Sequence, residues 1–439
     1  MNQRCQYLKD YLTEIDGHPP EERIAKHVKM AIDPFLFFRG SSQLFYADLK
    51  HGVLKLPKQL SKIPFTAIMG DCHLSNFGFF TEEGSHGDNV IFAPNDFDDA
   101  CIGPAVWDIS RFLVSLVLAA KYGKAVSQGH LCSAEQKHIG KPVVSDTQTL
   151  DAMCMFIDVY METCRLSTNE STFMGTALDD FPTNHILKKS YLKAVSRAAG
   201  GDDFEHKSSL AKASNYTDCT VTFKRDNNKF LSIDKSLFEE IAHTFSPYVD
   251  DAVLDIVSRA GAGTGSLNLE RYYLLVGPKD FQGKTDLPLC HIVEIKQQRK
   301  AAPLYHFDDL SPINRLNPAH LTAQCQRRMQ RNADLVLDEV MWKEKYWLVR
   351  SRHHAKVGID PEKVVLGKKA CFKNGYVQYA KACAKALALA HCRGDRRSKR
   401  FEHAMINSLA SEKRELITAA KEYAQQVELD TKSLRMLTG

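Results

Sequence analysis

No Cys-x-x-Cys pair occurs in this sequence, although it holds 12 cysteines and 17 histidines. The cysteines stand at irregular spacing, which argues against paired-cysteine metal and redox motifs. Free, mostly buried thiols in a reducing compartment are the expectation. Long apolar runs are missing too. The most apolar one, Phe112 to Ala120, is too short to span a bilayer. The start of the chain, M-N-Q-R-C-Q-Y-L-K-D, has no continuous apolar core of the secretory kind. No repeat and no low-complexity tract interrupts the pattern. Neither sign of charge dominates: the formal net charge is +5 over 439 residues. That balance suits an anionic ligand without implying nucleic acid. The chain reads as soluble and cytoplasmic, with no membrane span.

What is present is an ordinary globular composition, 44% hydrophobic and 25% charged. The length calls for two or three units rather than one core. Residues 1 to about 60 read as helical, broken at Asp33-Pro34, with Phe38, Leu44, Phe45 and Leu49 able to share a face. F-T-A-I-M after Pro64 suits a buried strand ending at Gly70. Phe77 to Phe80 and Val90 to Ala93 read as two strands joined by the polar T-E-E-G-S-H-G-D-N. Past Gly103-Pro104 an apolar-sided helix begins, bearing Trp107, Leu113 and Leu116. A polar loop is expected over 128–146 and mainly helix over 148–200. From about 216 to 352, β-branched and aromatic runs such as Y-Y-L-L-V-G and C-H-I-V-E-I-K predict a small antiparallel sheet. One helix, Pro318 to about Glu339, is expected within it. Two more helices are expected over 373–391 and 401–430. The units are therefore 1–215, 216–352 and 353–439.

The chemistry concentrates between Met69 and Asp98, where M-G-D-C-H-L-S-N-F-G-F-F leads to V-I-F-A-P-N-D-F-D. Asp71 precedes Asn76 by five positions, and Asp96 follows twenty later in Asp-Phe-Asp. One carboxylate that accepts a proton, with an amide oxygen and a second carboxylate that hold Mg²⁺, is the layout phosphoryl transfer needs. Asp71 is the candidate base. His73 is the candidate beside it, more a brace for the loop than a reactant. Asn76, Asp96 and Asp98 are the candidate metal ligands. An Asx-rich turn capping its own backbone is the plainer alternative for Asp71 alone.

A second feature is S-R-A-G-A-G-T-G-S, with Gly261, Gly263 and Gly265 ahead of Ser266. Backbone without Cβ atoms can approach phosphate closely and offer N–H groups to it. Two strand-like runs follow, and the second ends in Lys296. A lysine on a strand after a glycine loop grips the α- and β-phosphates in kinases. No G-K-[ST] follows the glycines, so this is not a Walker loop. Arg39, in F-R-G-S-S, suits a phosphate contact or a structural ion pair equally. His391 and Asp395, in A-H-C-R-G-D, are candidates for closing the site. The basic run Arg393 to Arg400 lacks the interleaved aromatics that single-stranded nucleic acid would require.

These motifs carry a resemblance. G-D-C-H-L-S-N-F-G with N-D-F-D-D-A-C-I-G-P-A-V-W-D-I resembles the catalytic segment of aminoglycoside and choline phosphotransferases. Over residues 30 to 430 the chain more closely resembles the bacterial family called domain of unknown function 2252. F-R-G-S-S, the first loop, N-D-F-D, the glycine segment and the terminal A-H-C-R-G-D all match its pattern. The resemblance implies an α+β, protein-kinase-like fold with a mostly helical large lobe, and ATP and Mg²⁺ as cofactors. It implies Asp71 as base, Asn76 and Asp96 as metal ligands, Lys296 as phosphate lysine and Asp108 as a brace for the loop. Here the glycine loop follows the catalytic loop instead of preceding it, so the implied fold is circularly permuted. The acid that normally pairs with the lysine is not evident either. The 318–339 helix carries Gln324 in the expected place and Glu339 at its far end, so another acid pairs with Lys296 or none does.

The expected activity is ATP- and Mg²⁺-dependent phosphoryl transfer to a hydroxyl of a small molecule or protein. Adenylyl transfer on the same fold and an inactive nucleotide-binding module are the alternatives. A metallohydrolase built on Asp71, His73, Asp96 and Asp98 is a further one.

Overall fold

A computed structural model describes residues 3–131, 136–170, 172–225, 229–260, 269–395 and 397–439. The chain is α+β, as expected. It opens with α1 (Gln3–Asp16), α2 (Ala25–Ile32), α3 (Pro34–Gly40) and α4 (Ser42–Lys50). Asp33 caps α3 by accepting from the Phe35 amide at 2.7 Å, and Pro34 supplies the preset first turn. The expected shared face is thus split between two helices, although Phe38, Leu44 and Phe45 are all buried.

β1 (Thr66–Ile68) pairs antiparallel with β4 (Cys101–Gly103). Between them β2 (Phe77–Thr81) and β3 (Val90–Pro94) form the expected hairpin. α5 (Ala105–Ser127) and α6 (Asp146–Asn169) follow, the latter opened by a capping box of Ser145 and Gln148. α5 is buried on nearly every side, because α3, α6 and the last helix pack around it. The two last helices are α14 (Gly375–Gly394) and α15 (Arg400–Thr438), both longer than the sequence pattern predicts. Among the described residues no helix is long and apolar enough to cross a membrane. Eleven described cysteines are free and mostly buried, as expected, and Cys132 lies outside the described residues.

Shorter pieces connect these parts: α7 (Lys188–Val195), α8 (Phe204–Lys207), α9 (Ser209–Ala213) and a ribbon of β5 (Ser214–Tyr216) with β6 (Val221–Phe223). The main sheet has six strands in the order β11-β12-β10-β9-β8-β7. Their ranges are β7 Phe230–Leu231, β8 Ala252–Arg259, β9 Arg271–Gly277, β10 His291–Gln297, β11 Leu337–Trp342 and β12 Lys345–Ser351. β13 (Val357–Gly358) adds to β2. The near-continuous apolar run of β9 follows from burial on both faces. Tyr272, Leu274 and Val276 pack with Trp347 on one side, while Tyr273 and Leu275 pack with Ile292 and Phe223 on the other.

Two expectations fail here. A helix, α10 (Lys235–Phe245), lies inside the stretch expected to be strands. Its Ile241 and Phe245 cover one sheet face, and Asp234 caps it. The helix expected to run to Glu339 is α11 (Pro318–Met329), which stops ten residues earlier. Leu337 begins β11, because an apolar run beside β12 gains a ladder of hydrogen bonds there. α12 (Pro361–Val365) and α13 (Lys368–Phe372) lead from β13 to α14.

Candidate active site

The loop after β1 is held from several directions. Gly70 has φ +74°, and a Cβ there would lie 1.8 Å from the Asp99 carbonyl oxygen, so only glycine fits. Asp108, in the first turn of α5, accepts from the amides of Met69 at 2.6 Å and Gly70 at 3.1 Å. Its other contact is His391 Nε2 at 3.1 Å, and both side chains are fully buried. Asp108 therefore braces the loop. Its partner His391 is part of that brace, while Asp395 meets Arg397 Nε at 3.2 Å. Tyr46 donates to the Gly70 carbonyl and Tyr379 to that of Leu74, each at 2.6 Å.

Asp71 projects from this loop and is 21% exposed. Arg111, three residues past Asp108 on α5, donates Nε to Asp71 Oδ1 at 2.8 Å and brings Nη2 within 2.5 Å of the same oxygen. Oδ2 lies 3.8 Å from His73 Nε2. His73 Nδ1 accepts from the Ser75 amide at 3.1 Å, so the proton of the neutral ring sits on Nε2. Burial, then the positive charges of Arg39 and Arg111, hold the ring's pKa well below its usual value. His73 is thus a buried neutral donor directed at Asp71. Asn76 donates Nδ2 to the Asp71 carbonyl at 2.8 Å, which turns its amide oxygen the other way.

The Asp-Phe-Asp segment lies between β3 and β4 and divides its carboxylates by role. Burial, and after it the charge of Asp98, push Asp96 up to about 6. Burial acts on Asp98 as well, but Lys296 and Arg350 more than offset it and hold that carboxyl well below the carboxylate range. Lys296 Nζ donates directly to Asp98 Oδ2 across 198 residues of sequence. Asp99 next to it takes Arg299 at 2.8 Å, the Ala302 amide at 2.8 Å and Ser42, from the F-R-G-S-S segment, at 3.2 Å.

Lys296 is 1% exposed, so a buried acid must balance it. That acid is Asp98. Glu339, on β11, is bonded by His320 instead, and Gln324 keeps a buried Oε1 without a partner. Glu294 stands two positions before Lys296 on the same face of β10. It binds Arg350, directly opposite on β12, at 2.8 Å and Arg271 at 3.0 Å. Sequence reasoning passed over Arg111, Glu294 and Arg350. The signals were Asp108 and Arg111 at helical spacing and Glu294 and Lys296 at strand spacing. Arg39 Nε, next to Asp71 in charge terms, is buried without a partner. Gly261, Gly263, Gly265 and Ser266 lie outside the described residues, within the connection from β8 to β9.

A family model described as "Uncharacterized protein conserved in bacteria (DUF2252)" matches residues 19–436. The chain belongs to that family. No curated protein and no solved structure matches it. In this DUF2252 chain the family match takes in both the loop of residues 69–76 and the charged face of β10. A cavity beside that face is lined by Asn95, Phe97, Glu294, Arg350, Arg352 and Lys356, with the cations in excess.

Proposed function

We propose that the chain is an ATP- and Mg²⁺-dependent phosphotransferase acting on a hydroxyl of a small molecule or a protein. Its fold, on this reading, is protein-kinase-like with permuted chain order. The contact between Lys296 and Asp98 carries the proposal. β8, β9 and β10 are antiparallel neighbours, the glycine segment falls in the first connection, and the lysine is on the third strand. That is the order of glycine loop and phosphate lysine in kinases. The lysine meets the Asp-Phe-Asp that a metal site would use.

Three orphaned buried atoms suit a nucleotide and its cation: Arg39 Nε and Arg111 Nη1 as donors, Asp98 Oδ1 as acceptor. When bound, Mg²⁺–ATP supplies the phosphoryl group and a divalent charge to neutralise it. Asp71 Oδ2, the oxygen Arg111 leaves free, accepts the proton of the acceptor hydroxyl. His73 orients that carboxylate. Asn76 and Asp96 would hold the cation, and Lys296, held by Asp98, would meet the phosphates. Mg²⁺ favours one or two carboxylates plus water and phosphate over a closed protein cage. Accordingly, Asp71, His73, Asp96 and Asp98 do not gather three ligand atoms within 4.8 Å of one another, which weighs against the metallohydrolase alternative.

The ion pair of Asp71 with Arg111 favours a second reading, an inactive nucleotide-binding module. It predicts ATP binding without turnover, unchanged by Asp71→Asn. Adenylyl transfer is separated from both by the mass added to an acceptor. The deciding experiment is calorimetric titration of Mg²⁺–ATP into wild type, Lys296→Ala and Asp96→Ala. Binding that weakens at least ~10-fold (about 1.4 kcal/mol) in both variants is expected. Wild type that binds no nucleotide would overturn the proposal.

A further inference from the structure

The connection from β2 to β3, residues 82–89, takes no part in the nucleotide reading, yet it is firmly attached to the sheet side of the molecule. Glu82 accepts from Arg331 Nε at 2.8 Å, and Ser85 Oγ donates to the Arg352 carbonyl at 2.9 Å. Gly84 is pressed so close that a Cβ would lie 2.1 Å from Asp334 Oδ1. Beyond that glycine, His86 pairs with Asp250, two residues before β8. Its ring centroid lies 4.9 Å from that of His291, the first residue of β10. One ligand atom from each of His86, Asp250 and His291 falls within 4.8 Å of the others, and no other trio of His, Cys, Asp or Glu does so among the described residues.

The state of His291 is the independent sign of a ligand. Its side chain belongs to a residue only 6% exposed. Its Nε2 is buried and has no partner at all. A buried imidazole nitrogen left without a hydrogen-bond partner, beside a second imidazole and a carboxylate, is a ligand atom left open. We propose that His86, Asp250 and His291 form a Zn²⁺ site that clamps the β2–β3 connection to the starts of β8 and β10.

Two imidazole nitrogens and one carboxylate oxygen suit Zn²⁺, with water completing a tetrahedron. Mg²⁺ and Ca²⁺ favour all-oxygen sets, so they do not compete at such a site. Bonds of about 2.0 Å place tetrahedral ligand atoms roughly 3.3 Å apart. The His86–Asp250 pair must therefore open and close in on His291, which the exposed side chains of His86 and Asp250 permit. The clamp joins two stretches that matter elsewhere: β3 runs on to Asp96, and β10 carries Lys296 five residues after His291. Zn²⁺ here would thus tie the acidic segment to the lysine strand from outside the nucleotide site.

The test uses the full chain, stripped with a chelator and titrated with Zn²⁺, then with Co²⁺ as an optical probe, without nucleotide. One equivalent of Zn²⁺ and the visible absorption of four-coordinate Co²⁺ are expected in wild type. His86→Gln, a surface change checked for folding by circular dichroism, should weaken Zn²⁺ binding at least tenfold. His291→Gln should abolish the Co²⁺ spectrum. Wild type that takes up no Zn²⁺, or His86→Gln that binds it as tightly as wild type, would overturn the site. Because no nucleotide is present, this outcome is independent of the calorimetric one.

Discussion

The two sides of the candidate site bury charge in different ways. On the helical side Asp108 is enclosed by donors: two loop amides and His391, all within 3.1 Å. On the sheet side Lys296, Glu294, Arg271, Arg350 and Asp98 oppose one another's charge across strands and the Asp-Phe-Asp segment. The first arrangement is directional and leaves one geometry for the loop. The second satisfies charge more than direction, and Asp98 Oδ1 still lacks a hydrogen-bond partner. A hydrogen-bonded brace suits a fixed base, whereas a charge cluster can exchange one anion for another, as binding a phosphate requires.

Breaking the brace should cost most. Asp108→Ala strands two amides and an imidazole in a dry interior, and the loss of stability should be about 3–5 kcal/mol. Urea denaturation measures it, and a loss under ~1 kcal/mol would mean the loop does not depend on Asp108. Next comes the charge cluster. Lys296→Met leaves Asp98 with Arg350, whose Nη2 is 3.8 Å away, so part of the balance survives. A loss of about 2 kcal/mol is expected, smaller than for Asp108. A double-mutant cycle of Lys296→Met with Asp98→Asn should return a coupling of roughly 1–3 kcal/mol. Additive effects would mean that the pair is not coupled in solution.

The comparison sharpens with pH. Asp96 has its folded-state pKa raised to about 6, so the native state holds that proton more tightly than the unfolded chain does. Its contribution to stability therefore falls as pH rises from about 4 to about 6. Asp98 has its pKa lowered, so its contribution is present above the usual carboxylate range and disappears as pH falls below about 4. Between those limits Asp96→Asn should lose less stability with rising pH than wild type does. Denaturation midpoints taken across that window decide it, and parallel slopes would exclude a raised carboxyl. The nucleotide reading adds that Mg²⁺ should bind more tightly over the same rise, as the carboxylate forms.

The helical side was the more legible in sequence because its determinants are local. Asp71, His73 and Asn76 lie within six residues, Pro104 opens α5, and Asp108 sits one turn in. The β9 and β10 runs also announced their strands through apolar content. What escaped was set by neighbours distant in the chain. Glu294 finds Arg350 only because β10 pairs with β12, and Lys296 finds Asp98 only because β10 meets the Asp-Phe-Asp segment. α10 was missed because only Ile241 and Phe245 of it are fully buried, with Leu237, Phe238 and Ala242 half-buried against the same sheet face, and that face belongs to strands distant in the chain. The overlong 318–339 helix came from reading through Gln330 to Val336. There Asp334 accepts from the Val336 and Ser351 amides, fixing a turn that the helical pattern does not show.

That misreading supplies the smallest and most discriminating prediction. If the lysine's acid came from the helix after β10, Glu339 would be the carboxylate within reach. Instead it is on β11, facing His320 at the surface. Its side chain is 23% exposed and that of His320 36%, so solvent screens the pair and its worth is at most about 1 kcal/mol. Glu339→Gln should shift stability by no more than that and should leave Mg²⁺–ATP affinity unchanged. Asp98→Asn, one substitution of the same kind, should change both, because it releases a buried lysine from the only carboxylate within its hydrogen-bond reach among the described residues. A nucleotide affinity that responds to Glu339 and not to Asp98 would return the lysine's partner to the helix side. The two-part contrast of brace and charge cluster would then have to be redrawn.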